Sequence, residues 1–267
     1  MQATPSKMRS ACRRLAHQLA CAAGLGLGLC GCASFWDDVT SRDFSVSQLF
    51  HSKDPLVVLK DSSDGNERYK ALAALQEPLH NGGSQKDQDT IVEILRTSAQ
   101  KDSQPLCRMA AIRALGRFKD PRAADTLDEV YVQNLTFEPE MTSLIRQECL
   151  KSLAETGGPV ALRRLVLVAK EPAATGTEHD RQETLNRRLT AVRGLGKFKD
   201  AEAMEALASV LRTDKDIGLR DRALESLQTA TGKQLPAGSP QWDDYLRPTS
   251  ALQTTGSTTG WNPAPPH

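Results

Sequence analysis

Arg108-Met-Ala-Ala111-Ile112-Arg-Ala-Leu115-Gly116-Arg-Phe-Lys-Asp120 is the stretch that decides the fold of this 267-residue chain. It begins with the pattern Arg-x-x-Ala-Φ-x-x-Leu, in which Φ is aliphatic, and the chain contains five such copies, with Cys149 in the alanine position of the third. The other copies span residues 68–75, 146–153, 188–195 and 220–227. Successive arginines are 40, 38, 42 and 32 residues apart, which is the period of a two-helix unit stacked into a solenoid.

Each copy predicts the first helix of a unit. Positions i, i+3, i+4 and i+7 lie on one helical face, so Ala111, Ile112 and Leu115 are expected to be buried. Cys149 is predicted to be a buried substitute for alanine. Apolar residues that recur every three or four positions predict second helices at about 121–135, 159–170 and 201–212, and Ile91, Val92 and Leu95 predict another in the first unit.

Two copies continue almost identically, as far as Asp120 and Asp200. We expect Gly116 and Gly196 to end the first helix in the left-handed conformation, and the two aspartates to cap the second helix. The third unit has Gly157-Gly158 instead of this connection. Residues 134–143 and 171–184 are expected to form extra loops.

These units resemble HEAT repeats, in the shorter form of phycobilin-lyase-like and many bacterial HEAT proteins. The resemblance covers about residues 67–230 and is strongest at 108–127 and 188–207. It implies an all-α fold, a right-handed α-α superhelix of about five helical hairpins whose second helices line a concave wall. It also implies a scaffold that binds a protein or peptide along that concave helix face. Lyase or chaperone-like action on a prosthetic group, as in phycobilin-lyase HEAT proteins, is the alternative.

The amino-terminal segment has the pattern of a secretory signal over residues 1–31. Four basic residues at positions 7–14 precede a mostly apolar stretch without acidic residues. The stretch ends in Leu29-Cys30-Gly31-Cys32, which resembles the lipobox of bacterial lipoproteins. The resemblance implies cleavage before Cys32, diacylglycerol on its thiol, further acylation such as palmitate, and a place in the cell envelope on the periplasmic face of a membrane. Ala33 favours the outer membrane, while secretion with cleavage elsewhere remains the alternative.

Charge and cysteine content limit the partners. The chain has 34 basic and 33 acidic residues, and removal of residues 1–31 leaves 30 basic against 33 acidic. A mildly acidic chain lacks the basic stripe that nucleic acid requires, so we expect no such partner. Cys107 and Cys149 remain in the body of the protein. An oxidising compartment permits a disulfide between them, and the sequence leaves that pairing open.

No motif indicates catalysis. The sequence Gly24-x-Gly26-x-Gly28 lies inside the leader without a preceding strand, and the histidines are scattered. Glu178-His179-Asp180 is expected to be a solvated loop cluster. We therefore expect no enzyme activity, cofactor, metal or small-molecule substrate.

The repeated arginines have two readings, a ladder for an acidic partner or hydrogen bonds to loop carbonyls and a loop aspartate. The second is favoured because ligand contact does not require the same residue in every unit.

The expected organisation is a leader at 1–31, a linker and amino-terminal cover at 32–66, the solenoid at 67–247 and a disordered tail at 248–267. The solenoid is expected to close with a cap helix that carries Trp242, Tyr245 and Leu246.

Overall fold

The computed structural model describes residues 54–246, which belong to one compact unit. This part of the chain is helical and contains no β-strand. The leader, the proposed lipid site at Cys32 and the tail at 248–267 lie outside the described residues, so what was predicted of them stays a prediction.

Ten α-helices follow one another in the described range, together with two short 3₁₀ helices. The α-helices are α1 (Pro55–Asp61), α2 (Gly65–Ala74), α3 (Gln85–Lys101), α4 (Pro105–Gly116), α5 (Pro121–Val132), α6 (Pro139–Thr156), α7 (Gly158–Ala169), α8 (Glu178–Leu195), α9 (Ala201–Thr213) and α10 (Ile217–Thr231). The 3₁₀ helices are Leu79–Asn81 and Pro240–Leu246. The five repeated patterns lie on α2, α4, α6, α8 and α10, and the predicted second helices are α3, α5, α7 and α9.

The buried faces are those that the repeat predicts. Ala111, Ile112 and Leu115 have no exposed surface, and the same positions are buried in the other copies except for Leu224, which is half-buried. Cys149 is also fully buried in the alanine position, as predicted. The periodic apolar residues therefore form one continuous core along the stack.

The helices form two layers. The first helices α2, α4, α6, α8 and α10 pack side by side, and the second helices pack beside one another in the other layer. Each second helix packs more extensively against the first helix of the next unit than against that of its own unit. Every unit therefore depends on its neighbour to cover its apolar face, which is the property of a solenoid. The all-α solenoid is thus confirmed.

The predicted conformation of Gly116 and Gly196 is wrong. Gly116 lies within α4, and Gly196 has a φ of −60°, in the right-handed region. Among the described glycines, the left-handed side is occupied by Gly82, Gly157, Gly158 and Gly232. A Cβ on Gly116 would lie 2.8 Å from that of Ser152 on α6, and one on Gly196 would lie 3.2 Å from the Cα of Ser226 on α10. These glycines allow neighbouring first helices to approach closely.

The connections differ from the prediction at several points. Asp120 caps α5 by accepting a hydrogen bond from Arg122 N at 3.0 Å, whereas the Asp200 side chain makes no capping bond. The expected loops at 134–143 and 171–184 are shorter, because α6 begins at Pro139 and α8 begins at Glu178. The Glu178-His179-Asp180 cluster is therefore the first turn of α8, where Thr177 and Asp180 form a capping box.

The end of the described chain packs on the last second helix. Pro240–Leu246 is a 3₁₀ helix rather than an α-helix, and it lies against α9. Trp242 is fully buried there and donates from Nε1 to the carbonyl of Pro236 at 3.0 Å. This contact covers the last second helix, α9, with an aromatic side chain whose polar atom is satisfied.

Candidate interaction surface

Three repeated arginines bond to the connections between units. Arg108 donates from Nε to the Asp102 carbonyl at 2.6 Å, and Arg188 donates from Nε to the Ala169 carbonyl at 3.3 Å. Both carbonyls belong to the end of the preceding unit, as predicted. Both arginines are buried, with 8% and 6% of their surface exposed. These guanidinium groups therefore stabilise the stack and do not face a partner.

Two aspartates form ion pairs with repeated arginines, and the sequence pattern did not identify them. Arg68 pairs with the Asp102 carboxylate, and Arg188 pairs with that of Asp214. Asp102 and Asp214 both follow directly after a second helix, α3 or α9. An aspartate directly after the second helix of the unit that contains the arginine is the sequence signal that could have identified Asp102 and Asp214. Arg146 and Arg220 form no ion pair within residues 54–246.

A buried polar network links the first two units at the opposite edge of the stack. The fully buried amide of Gln88 donates from Nε2 to Glu77 Oε1 and to Asp120 Oδ2, both at 3.0 Å. The backbone N–H of Lys119 donates to Glu77 Oε2 at 2.8 Å. The pKa of the Asp120 carboxyl is lowered to about 2, mainly because Arg122 donates hydrogen bonds to it. Each carboxylate is satisfied, so the network holds the connections in place.

The two cysteines of the described chain are free thiols. Both Cys107 and Cys149 are fully buried, and burial raises the pKa of each thiol above its ordinary value. A buried thiol that resists ionisation is a poor nucleophile. The pairing that the sequence left open is therefore absent, and both thiols serve as packing groups.

Possible metal ligands do not cluster in the part of the chain that the structure describes. Between residues 54 and 246, His, Cys, Asp and Glu side chains form no group of three or more that could hold a metal ion. Of the two histidines there, His80 pairs with Glu77 at 3.2 Å, and His179 lies in the first turn of α8.

Between residues 54 and 246, none of the helices has the length and apolar character needed to cross a membrane.

The layer of second helices presents an extended charged surface. Ion pairs connect every neighbouring pair of helices along α3, α5, α7 and α9, and the last one reaches the 3₁₀ helix at 240–246. The pairs are Asp89 with Arg122 at 2.7 Å, Asp128 with Arg164, Glu205 with Lys170 at 3.4 Å, and Arg212 with Asp243 at 2.7 Å. The Asp89–Arg122 and Lys170–Glu205 pairs are exposed and contribute little stability individually. Together the four pairs give the surface alternating charge that a partner can recognise.

This layer also has an apolar groove at its amino-terminal end. The groove lies between α1 and α3, has a volume of about 530 Å³, and is lined by Leu56, Leu59 and Ile94. Arg68 and Glu93 also line it. The groove exists because α1 packs mainly on α2 and leaves the side of α3 uncovered.

Comparison with known families gives matches in two parts of the solenoid. A family model described as HEAT repeats matches residues 53–135. A second family model, described as the PBS lyase HEAT-like repeat, matches residues 188–213. Both stretches are therefore similar to HEAT repeats. They include the Arg108 and Arg188 copies, where the sequence pattern is strongest. No curated protein sequence matches the chain.

Proposed function

We propose that this protein is a membrane-anchored scaffold whose HEAT-like solenoid binds another protein or a peptide on the exported side of a bacterial membrane. The observation that carries this proposal is the continuous exposed surface of α3, α5, α7 and α9. Stacked helical repeats of this kind supply an extended binding surface rather than an enclosed site.

The anchor in this proposal rests on the sequence around Cys32. A diacylglycerol group on the thiol and an acylated amino terminus supply two or three acyl chains, which together hold a protein stably on a bilayer. Ala33 supports the outer membrane as the destination. The solenoid then lies in the periplasmic space, where a protein partner is accessible and nucleic acid is not.

Lyase or chaperone-like action on a prosthetic group is the second candidate. The match of residues 188–213 to the PBS lyase HEAT-like repeat favours it. A lyase activity requires a nucleophile or an acid–base pair that faces a pocket. The thiols of Cys107 and Cys149 are buried and have raised pKa values, so they do not supply the nucleophile. Scaffolding is therefore the better-supported function.

The anchor is tested with Cys32→Ala and the matched control Cys30→Ala. The first variant is expected to lose metabolic labelling by a palmitate analogue and to leave the membrane fraction of cells. The control is expected to keep both, because its cysteine lies in the part that processing removes. Membrane retention of an unlabelled Cys32→Ala protein would contradict the anchor.

The scaffold is tested by site-specific photo-crosslinking in intact cells. A photoreactive amino acid is placed at Glu93 or Glu205, which are exposed on the second helices, or at Glu140 or Lys151, which are exposed on the first helices. Discrete protein adducts are expected from the second-helix positions. Adducts that arise only from the first-helix positions, or from none, would overturn the proposal.

A further inference from the structure

Helix α7 is the basic member of the layer of second helices. Residues 158–170 contain three basic side chains and no acidic one. The two neighbouring helices have the opposite balance, since α5 contains three acidic residues and one basic residue, and α9 contains two and one. The surface of α7 is therefore a positive strip between two more acidic helices. Helix α7 belongs to the third unit, in which Gly157-Gly158 replaces the connection found in the second and fourth units.

Large apolar side chains are exposed on and beside this strip. Leu167 is 57% exposed, and it lies four residues after Arg163 and three before Lys170, so the three share one helical face. Val132, at the end of the adjacent helix α5, is 58% exposed. The two helices are in contact, and the guanidinium of Arg164 lies 5.2 Å from the ring centroid of Tyr131, next to Val132.

The charges of the strip are not equally neutralised. Arg164 pairs with Asp128, and Lys170 lies 3.4 Å from Glu205. Arg163 is exposed and has no ion pair with any residue between 54 and 246. An exposed arginine one helical turn from the exposed Leu167 combines the residue types that a partner's acidic group and apolar group each recognise.

We propose that Arg163, Leu167 and Lys170, together with Val132, form the docking site for an acidic segment of a partner protein that carries an aliphatic side chain. We call this surface the α7 ridge. The partner's aliphatic group removes Leu167 and Val132 from water, and a neighbouring carboxylate pairs with Arg163. The inference rests on the proposed scaffold function and names the place and the chemistry of its partner contact.

The test uses the full chain and short fluorescein-labelled peptides, with binding measured by fluorescence anisotropy. One peptide consists of glutamate and leucine, a second has serine for leucine, and a third has lysine for glutamate. The ridge variants are Arg163→Glu and Leu167→Asp. Their matched controls are Arg193→Glu and Leu106→Asp, on the layer of first helices, where Leu106 is 55% exposed.

The glutamate–leucine peptide is expected to bind the unchanged protein, and each ridge variant is expected to weaken that binding about tenfold. The controls are expected to change it by less than about twofold, because exposed side chains away from the contact contribute little. The serine and lysine peptides are expected to bind about tenfold more weakly. Absence of binding by the glutamate–leucine peptide, equal binding of the lysine peptide, or equal effects of ridge and control variants would overturn the proposal.

The failures of this inference and of the scaffold function give different results. Crosslinks from Glu93 and Glu205, with peptide binding unchanged in the ridge variants, would reject the ridge and keep the scaffold. Ridge-dependent peptide binding, without any crosslink in cells, would reject the scaffold and keep the chemistry of the ridge. All substituted positions are exposed, and a thermal unfolding curve for each variant verifies that it is folded.

Discussion

Gly116 and Ser152 meet at a point where two successive first helices have no room for a methyl group. A Cβ on Gly116 would lie 2.8 Å from the Cβ of Ser152, closer than two carbon atoms can pack. Gly196 and Ser226 repeat the arrangement two units later, with a distance of 3.2 Å to the Ser226 Cα. The Leu-Gly step of these two copies therefore permits the close approach of α4 to α6 and of α8 to α10.

Gly116→Ala is expected to destabilise the protein although alanine is the better helix former. The helix-propensity gain is at most about 1 kcal/mol, whereas overpacking a tight contact costs about 1–3 kcal/mol. Urea unfolding followed by circular dichroism measures the difference. The matched control, Gly238→Ala, adds its Cβ to open space and is expected to change the free energy of unfolding little. Unchanged stability of Gly116→Ala would show that the helices separate freely.

Arg188→Leu is expected to lower the free energy of unfolding more than Arg220→Leu does. The first change removes the bond to the Ala169 carbonyl and leaves the mostly buried Asp214 carboxylate without its partner. The expected loss is about 2–4 kcal/mol. Arg220 occupies the same repeat position and makes no ion pair in the described chain, so its loss should be below about 1 kcal/mol. Chemical denaturation of both variants decides the point, and equal losses would refute the bridging role.

Ala111→Asp is expected to unfold the stack or to shorten its cooperative part. Ala111 has no exposed surface, so the substitution buries a carboxylate without a partner, at a cost of several kcal/mol. Ala201→Asp is the control, because Ala201 is exposed in the first turn of α9, where a negative charge is favourable. Thermal melting is the measurement. An unchanged midpoint for Ala111→Asp would contradict the buried face of α4.

Asp120→Asn is expected to alter how stability depends on pH. The pKa of Asp120 is lowered to about 2, chiefly by hydrogen bonds from Arg122, and is therefore below its value in the unfolded chain. The ionised carboxylate thus stabilises the fold above about pH 4, and this contribution is lost as the pH falls from about 4 to about 2. Asparagine still caps a helix but carries no charge.

The check is the difference in unfolding free energy between the unchanged protein and Asp120→Asn. It is expected to be about 1–2 kcal/mol at pH 7 and to shrink as the pH falls towards about 2.5. Parallel pH profiles for the two proteins would show that the charge of Asp120 does not stabilise the fold.

The sequence predicted site residues only where the pattern that identifies them lies within a few neighbouring residues of the chain. The repeated arginines were recognised from their spacing, and the bonds of Arg108 and Arg188 to carbonyls at the end of the preceding unit followed from their place at the start of a buried face. Their carboxylate partners were not recognised, since Asp102 is 34 residues from Arg68 and Asp214 is 26 residues from Arg188. The network of Glu77, Gln88 and Asp120 was missed for the same reason. The α7 ridge joins side chains of two helices, and no spacing within one helix reveals it.

The sequence alone determined the helical class, the number of repeated first helices and the face that each one buries. This information is local, because a period of 3.6 residues assigns a face to every side chain of a helix. Only the tertiary structure decided that Gly116 has a right-handed helical backbone and lies at a close helix contact. It also decided that each second helix packs mainly on the next unit, and which charges remain unpaired. Those properties depend on distances between residues that are far apart in the chain, and periodicity contains no such distances.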